Sequence, residues 1–79
     1  MKNTRADVIT NNLVRLLKEE RKRKNISHQM LANAAGIHRS TVSLIESGKR
    51  TPTITVCLKI AGALELDFAK LMKKAQMEE

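Results

Sequence analysis

The 79-residue chain is short of the residue types that mark several classes of protein. It contains one cysteine, one proline and one phenylalanine, and it has no tryptophan or tyrosine. A single cysteine excludes an internal disulfide and a cysteine-rich zinc site. Because single-stranded nucleic acid is usually held by bases that stack on aromatic rings, the shortage of aromatics also disfavours single strands as a partner.

Long apolar segments are missing as well. No apolar run approaches the roughly 18 residues of a membrane-spanning helix. Residues 1–12, MKNTRADVITNN, lack the continuous apolar stretch of a signal peptide. We therefore expect a cytoplasmic protein without a membrane partner. A chain of this length builds one domain with a modest core.

Positive charge is what the chain has in excess. Fifteen Lys and Arg residues against eight Asp and Glu residues give a formal net charge of +7 at pH 7. Such an excess indicates an anionic partner, most often nucleic acid, although a basic surface kept for solubility is the alternative. With aromatic residues nearly absent, the composition favours duplex DNA over single strands.

The spacing of apolar residues predicts an all-α chain of five short helices, with no strand pattern. The predicted helices cover residues 10–24, 28–35, 39–47, 54–64 and 68–76. We divide the chain into an N-terminal arm or helix 1 extension (1–9), a single domain (10–76) and a frayed tail (77–79).

Capping residues mark the ends of these helices. Helix 1 starts as early as Thr4 if its hydroxyl caps the helix together with Asp7, and Asn25 is its predicted left-handed terminator. The other predicted N-caps are Ser27, His38, Thr53 and Asp67. The residues predicted to point inward from helices 4 and 5 are Ile54, Leu58, Ala61, Leu64, Phe68, Leu71 and Met72.

Apolar residues recur at helical spacing on both sides of one glycine. Leu31 and Ala35 precede Gly36, whereas Val42 and Ile45 follow it. The two apolar faces can meet only if the chain turns sharply between them. Gly36 supplies the turn, because only glycine enters positive-φ conformations without a steric cost. This is the pattern of a helix-turn-helix.

The outer face of helix 3 carries short polar side chains. On a helical wheel of about 100° per residue, oriented with Val42 and Ile45 toward the core, a second set of residues lies on the outward side. That set is Arg39, Ser40, Ser43, Leu44 and Ser47. In the major groove Arg binds guanine O6 and N7, and Ser binds either kind of base edge. Leu44 either touches a thymine methyl or belongs to a protein contact, and both interpretations stay open.

The remaining charged residues divide into surface cations and one inward pair. The candidates for phosphate binding are Arg39, Lys49, Arg50 and the cluster Lys22–Lys24. Arg21 ends the inward stripe of helix 1, and Glu46 lies about a quarter-turn from the buried direction of helix 3. We predict that Arg21 and Glu46 form an ion pair that joins these helices, ahead of any contact with DNA.

Catalytic and metal-binding patterns are missing from the sequence. The two histidines lack Cys or Asp partners at ligand spacing, and Ser40 and Ser43 have no evident base. Cys57 is expected to be a buried structural thiol. We predict that the protein is no enzyme and uses no metal, cofactor or small-molecule effector.

These residues resemble the Cro/phage-repressor-type helix-turn-helix family, also called the XRE family. The matching motifs are LA at 31–32, AGI at 35–37, RSTVS at 39–43, IE at 45–46, GKRTP at 48–52 and LKIAGAL at 58–64. The resemblance covers about residues 13–71. It implies a compact five-helix, lambda-repressor-like domain with its helix-turn-helix at 28–47. It also implies a sequence-specific double-stranded DNA binder, usually a dimer, that regulates transcription.

The resemblance also implies roles for particular residues. The buried ion pair falls on Arg21 and Glu46, and the turn falls on Gly36. Base-reading positions fall on Arg39, Ser40 and Leu44, with Ser43 nearby. Phosphate-binding positions fall on His28, Ser47, Lys49 and Arg50, with Ser27 at the N-terminus of helix 2.

Three positions depart from the family pattern. His28 stands where Gln is common; it can still donate one hydrogen bond, and protonation would strengthen that bond. Met30 replaces a Glu that completes a capping box. Glu65 replaces a Gly that ends helix 4, which implies either a different helix end or backbone strain.

The expected function is that of a small repressor or autoregulator that binds DNA as a homodimer. Helix 5, with Phe68, Leu71 and Met72, is the predicted dimer contact. The alternative is a protein–protein interaction module, such as the antitoxin of a toxin–antitoxin pair, in which Leu44 and the Met-containing tail (Met72, Met77) serve the contact.

Overall fold

The computed structural model describes residues 4–78 and contains five α-helices in that range. The helices are α1 (Arg5–Arg23), α2 (His28–Ala35), α3 (Arg39–Glu46), α4 (Ile54–Ala63) and α5 (Phe68–Met77). No strand occurs within the described residues, and the predicted all-α, five-helix class is confirmed. None of these helices combines the length and the apolarity needed to cross a membrane.

The start of α1 is fixed by a capping box. The Thr4 hydroxyl accepts the N–H of Asp7 at 3.1 Å, and the Asp7 carboxylate accepts the N–H of Thr4 at 3.2 Å. The early start of helix 1 is therefore confirmed. The start at residue 10 is wrong, because the capping box at Thr4, six residues earlier, already satisfies free N–H groups at the beginning of the helix. Residues 5–9 extend helix 1, whereas residues 1–3 of the predicted arm lie outside the described residues.

The other predicted caps are present. Asn25 has a φ of 56°, the left-handed conformation expected after α1. Ser27, Thr53 and Asp67 each accept a backbone N–H with the side chain, at 3.0 to 3.1 Å. His38 is the N-cap of α3 but makes no side-chain capping bond. Local hydrogen bonding therefore sets most helix boundaries.

The core gathers apolar side chains from all five helices. α1 and α5 pack against each other, and α2 packs against both α3 and α4. The buried apolar residues of the core cluster are Leu13, Leu16, Leu17, Leu31, Ala32, Val42, Ile45, Cys57, Ile60, Ala61, Leu64 and Ala75. This core holds α3 at the surface with its apolar side inward.

The buried face of α4 differs from the prediction. Ile54 and Leu58 were predicted to point inward, but they are 62% and 50% exposed. On a wheel of about 100° per residue they lie about 70° and about 110° from the centre of the buried face. The buried residues of α4 and its C-cap are Cys57, Ile60, Ala61 and Leu64.

α4 ends in a strained turn at Glu65. The helix stops at Ala63, one residue before the predicted end, and Leu64 is its C-cap. Glu65 has a φ of 59°, and its N–H donates to the carbonyl of Gly62 at 3.0 Å. Of the two predicted alternatives, a different helix end or backbone strain, the structure shows strain. A left-handed residue follows the helix, as it does in a helix that is terminated by Gly, but here that residue is Glu65.

The end of α5 is tied to α1. Phe68, Leu71 and Met72 pack partly buried against the core, whereas Ala75 is the fully buried residue of α5. The Asn12 side-chain amide donates to the carbonyl of Ala75 at 3.0 Å. The helix therefore extends to residue 77, one residue beyond the predicted end, with residue 78 as its C-cap. Residue 79 of the predicted frayed tail lies outside the described residues.

Candidate nucleic-acid interface

The turn between α2 and α3 depends on the backbone conformation of Gly36. Its φ is 70°, and its N–H donates to the carbonyl of Ala32. Ile37 donates to the same carbonyl at 3.0 Å. A Cβ at Gly36 would meet no atom within 4 Å, so the position requires glycine for its φ and not for lack of space. The turn brings α3 back across α2 and leaves one side of α3 at the surface.

The outer side of α3 carries the residues predicted to read bases. Val42 fixes the inner side, being only 1% exposed. Arg39 and Ser40 lie exposed in the first turn of α3. Ser43 and Leu44 are half-buried further along the helix. The structure thus brings the four residues together along one helix, with the best access at its N-terminal end.

The loop after α3 folds back onto the end of the helix. Gly48 has a φ of 78°, and the N–H groups of Lys49 and Arg50 both donate to the carbonyl of Leu44, at 2.9 and 3.2 Å. Lys49 and Arg50 are exposed beside the C-terminus of α3. The Ser47 hydroxyl donates to the same carbonyl at 3.1 Å, so it must rotate before it can donate to a phosphate. Ser47 is the C-cap of α3, so the helix ends one residue before the predicted end.

The N-terminus of α2 points its free N–H groups at the surface. The Ser27 side chain accepts the N–H of Met30 at 3.0 Å. The preceding N–H groups, of His28 and Gln29, have no carbonyl within the helix to bond. Such helix termini attract phosphate oxygens.

Arg21, His28 and Glu46 form one partly buried network. Arg21 donates from Nε to Glu46 Oε2 at 2.8 Å and from Nη2 to Glu46 Oε1 at 2.9 Å. It also donates from Nη1 to the carbonyl of Ile26 at 2.7 Å. The contact that sequence reasoning missed is His28 Nε2 to Glu46 Oε1, at 3.0 Å. The network joins α1, α2 and α3.

The pKa of Glu46 is set by two opposing effects. Burial favours the neutral acid and by itself raises the pKa of this carboxyl. The hydrogen bonds from Arg21 and His28 act in the other direction and outweigh burial. The net effect lowers the pKa below its usual range, so Glu46 is a carboxylate at neutral pH.

The predicted cation cluster Lys22–Lys24 is divided by the fold. Arg23 is paired with Glu20 one turn earlier on α1. The Lys24 ammonium donates to the carbonyl of Leu64 at the end of α4. Lys22 is exposed, and it has no such partner among the described residues.

Lys22 borders a shallow surface depression between α1, α2 and α3. We call it the basic depression: its lining consists of Lys18, Arg21, Lys22, His28, Ser43, Glu46 and Ser47. Lys18 was not among the predicted phosphate-binding residues. Lys18 lies one helical turn before Lys22 on α1, and this spacing in the sequence indicates that the two side chains share a face of the helix. The depression places cations beside the N-terminus of α2 and the outer side of α3.

Comparison with known families identifies the chain. A model of the helix-turn-helix family matches residues 17–71, which is well over half of the sequence. The chain belongs to the XRE-type helix-turn-helix family. A search of curated proteins gives no significant match. The family assignment makes this helix-turn-helix protein a DNA-binding regulator and supports the prediction that it is not an enzyme.

The cysteine of this helix-turn-helix protein is buried in the core. Cys57 is 3% exposed, and burial raises the pKa of its thiol. Within residues 4–78, His, Cys, Asp and Glu side chains form no group of three that could hold a metal ion.

Proposed function

We propose that this helix-turn-helix protein is a sequence-specific, double-stranded DNA-binding regulator of transcription, a small repressor or autoregulator. It acts as a homodimer and reads the major groove with α3. The observation that carries the proposal is the outer side of α3, where Arg39 and Ser40 are exposed next to surface cations in a chain of net charge +7.

Base reading is assigned to Arg39, Ser40, Ser43 and Leu44. Arg39 is the first residue of α3, where an exposed long side chain reaches deepest into a groove. Its guanidinium can donate to guanine O6 and N7 together. Ser40 and Ser43 are short enough to let the helix approach base edges, and Leu44 supplies an apolar contact suited to a thymine methyl.

Phosphate binding is assigned to residues at the two ends of the helix-turn-helix. At one end are Ser27 and His28, at the N-terminus of α2. At the other are Ser47, Lys49 and Arg50, in the loop that follows α3. Contacts at both ends would fix the register of α3 on the duplex without carrying sequence information.

The geometry of duplex DNA supports the proposed homodimer. A single helix of eight residues reads only a few base pairs. Two copies related by a two-fold axis would place α3 in successive major grooves, with half-sites roughly 34 Å apart. The protein would therefore bind palindromic operators.

The test compares Arg39→Ala with Lys49→Ala on a panel of duplexes that differ by single base pairs. Arg39→Ala is expected to cost about 1–3 kcal/mol on the preferred site and to relax specificity at one base position. Lys49→Ala should weaken binding to every duplex by a similar factor, because it removes a phosphate contact. If both variants lost affinity evenly across the panel, the assignment of Arg39 to base reading would be wrong.

A second candidate function is protein docking, as in an antitoxin that binds a toxin. Ile54 and Leu58 favour it, because they lie one turn apart on α4 and are 62% and 50% exposed. An apolar pair of this kind suits a contact with another protein. A docking module without a DNA-binding role would show no salt-sensitive binding to duplex DNA.

A further inference from the structure

We propose that His28 binds a DNA phosphate only as the imidazolium, so that DNA binding takes up a proton at this residue. The inference rests on the proposed DNA-binding function and adds a dependence on pH to it. It starts from the contact between His28 Nε2 and Glu46 Oε1, 3.0 Å apart.

The partner of His28 determines which ring nitrogen carries the hydrogen. Glu46 is a carboxylate, held in that form by Arg21, and a carboxylate only accepts hydrogen bonds. The hydrogen of a neutral His28 must therefore be on Nε2, where it is donated to Glu46. This leaves Nδ1 with a lone pair and no hydrogen.

A neutral His28 in this arrangement cannot bond a phosphate. Phosphate oxygens on DNA are acceptors, and so is an unprotonated Nδ1. When the ring gains a proton, Nε2 keeps its bond to Glu46 and Nδ1 becomes a second donor, from which a phosphate oxygen can accept. A glutamine at position 28 needs no proton for this, because its NH₂ group carries two hydrogens at every pH.

The described groups around His28 carry both signs of charge: Lys18, Lys22 and Arg21 of α1 line the same basic depression, and Glu46 of α3 accepts from the ring. Arg21 also donates to Glu46, so that carboxylate is already paired. A phosphate can accept from Nδ1 only when the ring holds both hydrogens, so the proton and the phosphate bind together.

The experiment measures the affinity of the full chain for one duplex between pH 8 and pH 6 at fixed salt. The wild-type protein is expected to gain up to tenfold in affinity per pH unit for each bound subunit, the limit for uptake of one proton per subunit. His28→Gln is expected to bind with nearly constant affinity over this range. His38→Gln is the matched control, because it removes the other histidine, and it should retain the wild-type dependence on pH.

A second measurement separates an added phosphate contact from a change in folding. At pH 6 the plot of log K against log salt should be steeper than at pH 8 by about 0.9 for each bound subunit, the effect of one more neutralised phosphate per subunit. His28→Gln should show no such change of slope. Thermal unfolding at both pH values checks that the variants are folded.

The outcomes distinguish failure of this inference from failure of the proposed function. Tight binding by the wild type that does not vary with pH would overturn this inference and leave the proposed function standing. An equal dependence on pH in His28→Gln would overturn it as well, because another group would then take up the proton. Absence of duplex binding at every pH by all three proteins would overturn both.

Discussion

Glu46 shows how much one carboxylate can organise in a small domain. It accepts hydrogen bonds from Arg21 of α1 and His28 of α2, and it lies itself on α3. Helical spacing was sufficient to predict its pairing with Arg21, because both residues lie at the edge of an apolar stripe. The contact with His28 depends on the rotamer of a residue at a helix start, which periodicity does not determine.

The buried pair makes the fold sensitive to the loss of one partner. Glu46→Leu leaves the Arg21 guanidinium buried without a charge partner, and we expect it to lower the free energy of unfolding by roughly 3–5 kcal/mol. The matched double variant Arg21→Met/Glu46→Leu removes both charges and should recover most of that loss. Urea denaturation at pH 7 measures both. A double variant no more stable than Glu46→Leu would contradict this role for the pair.

At the scale of secondary-structure elements, two helix ends use the same backbone conformation with different residues. Gly36 ends α2 at a φ of 70°, and Glu65 follows α4 at a φ of 59°. The left-handed conformation costs a residue with a Cβ roughly 1–2 kcal/mol, and glycine avoids this cost. The strain at Glu65 is therefore local and removable.

Glu65→Gly is expected to stabilise the protein. The relief of strain is partly offset by the larger conformational entropy of glycine in the unfolded chain, roughly 0.5–1 kcal/mol, which leaves a net gain on the order of 0.5–1 kcal/mol. Gly36→Ala is the matched control, since it introduces the same strain at the other helix end and should destabilise. Thermal unfolding compares the three proteins, and a lower Tm for Glu65→Gly than for the wild type would show that the strain is not the dominant cost.

Across the whole molecule, the sequence was sufficient for features set by local interactions. The five helices and the caps at Ser27, Thr53 and Asp67 follow from side chains that bond their own backbone. The orientation of α4 was missed, because Leu58 fits a helical apolar pattern without lying on the face that packs. The division of the cluster Lys22–Lys24 was missed too, since Lys24 reaches a carbonyl that only the folded chain brings near. Local bonding is visible in sequence, whereas the choice among surface and tertiary partners is not.

The charge distribution gives the folded protein a surface suited to a polyanion beside α3. Lys22, Lys49 and Arg50 are exposed around the outer side of α3, and Lys18 lines the basic depression beside them. A duplex that covers this surface releases counterions from its phosphates, so binding weakens as salt rises.

The most direct measurement is the affinity for random duplex DNA as salt is raised from 50 to 300 mM. With Lys22, Lys49 and Arg50 each neutralising one phosphate, log K should fall linearly with log salt, with a slope of about −3 for one subunit and about twice that for a dimer. Duplex binding that is absent at low salt, or that does not respond to salt, would contradict DNA binding by α3 and its flanking cations.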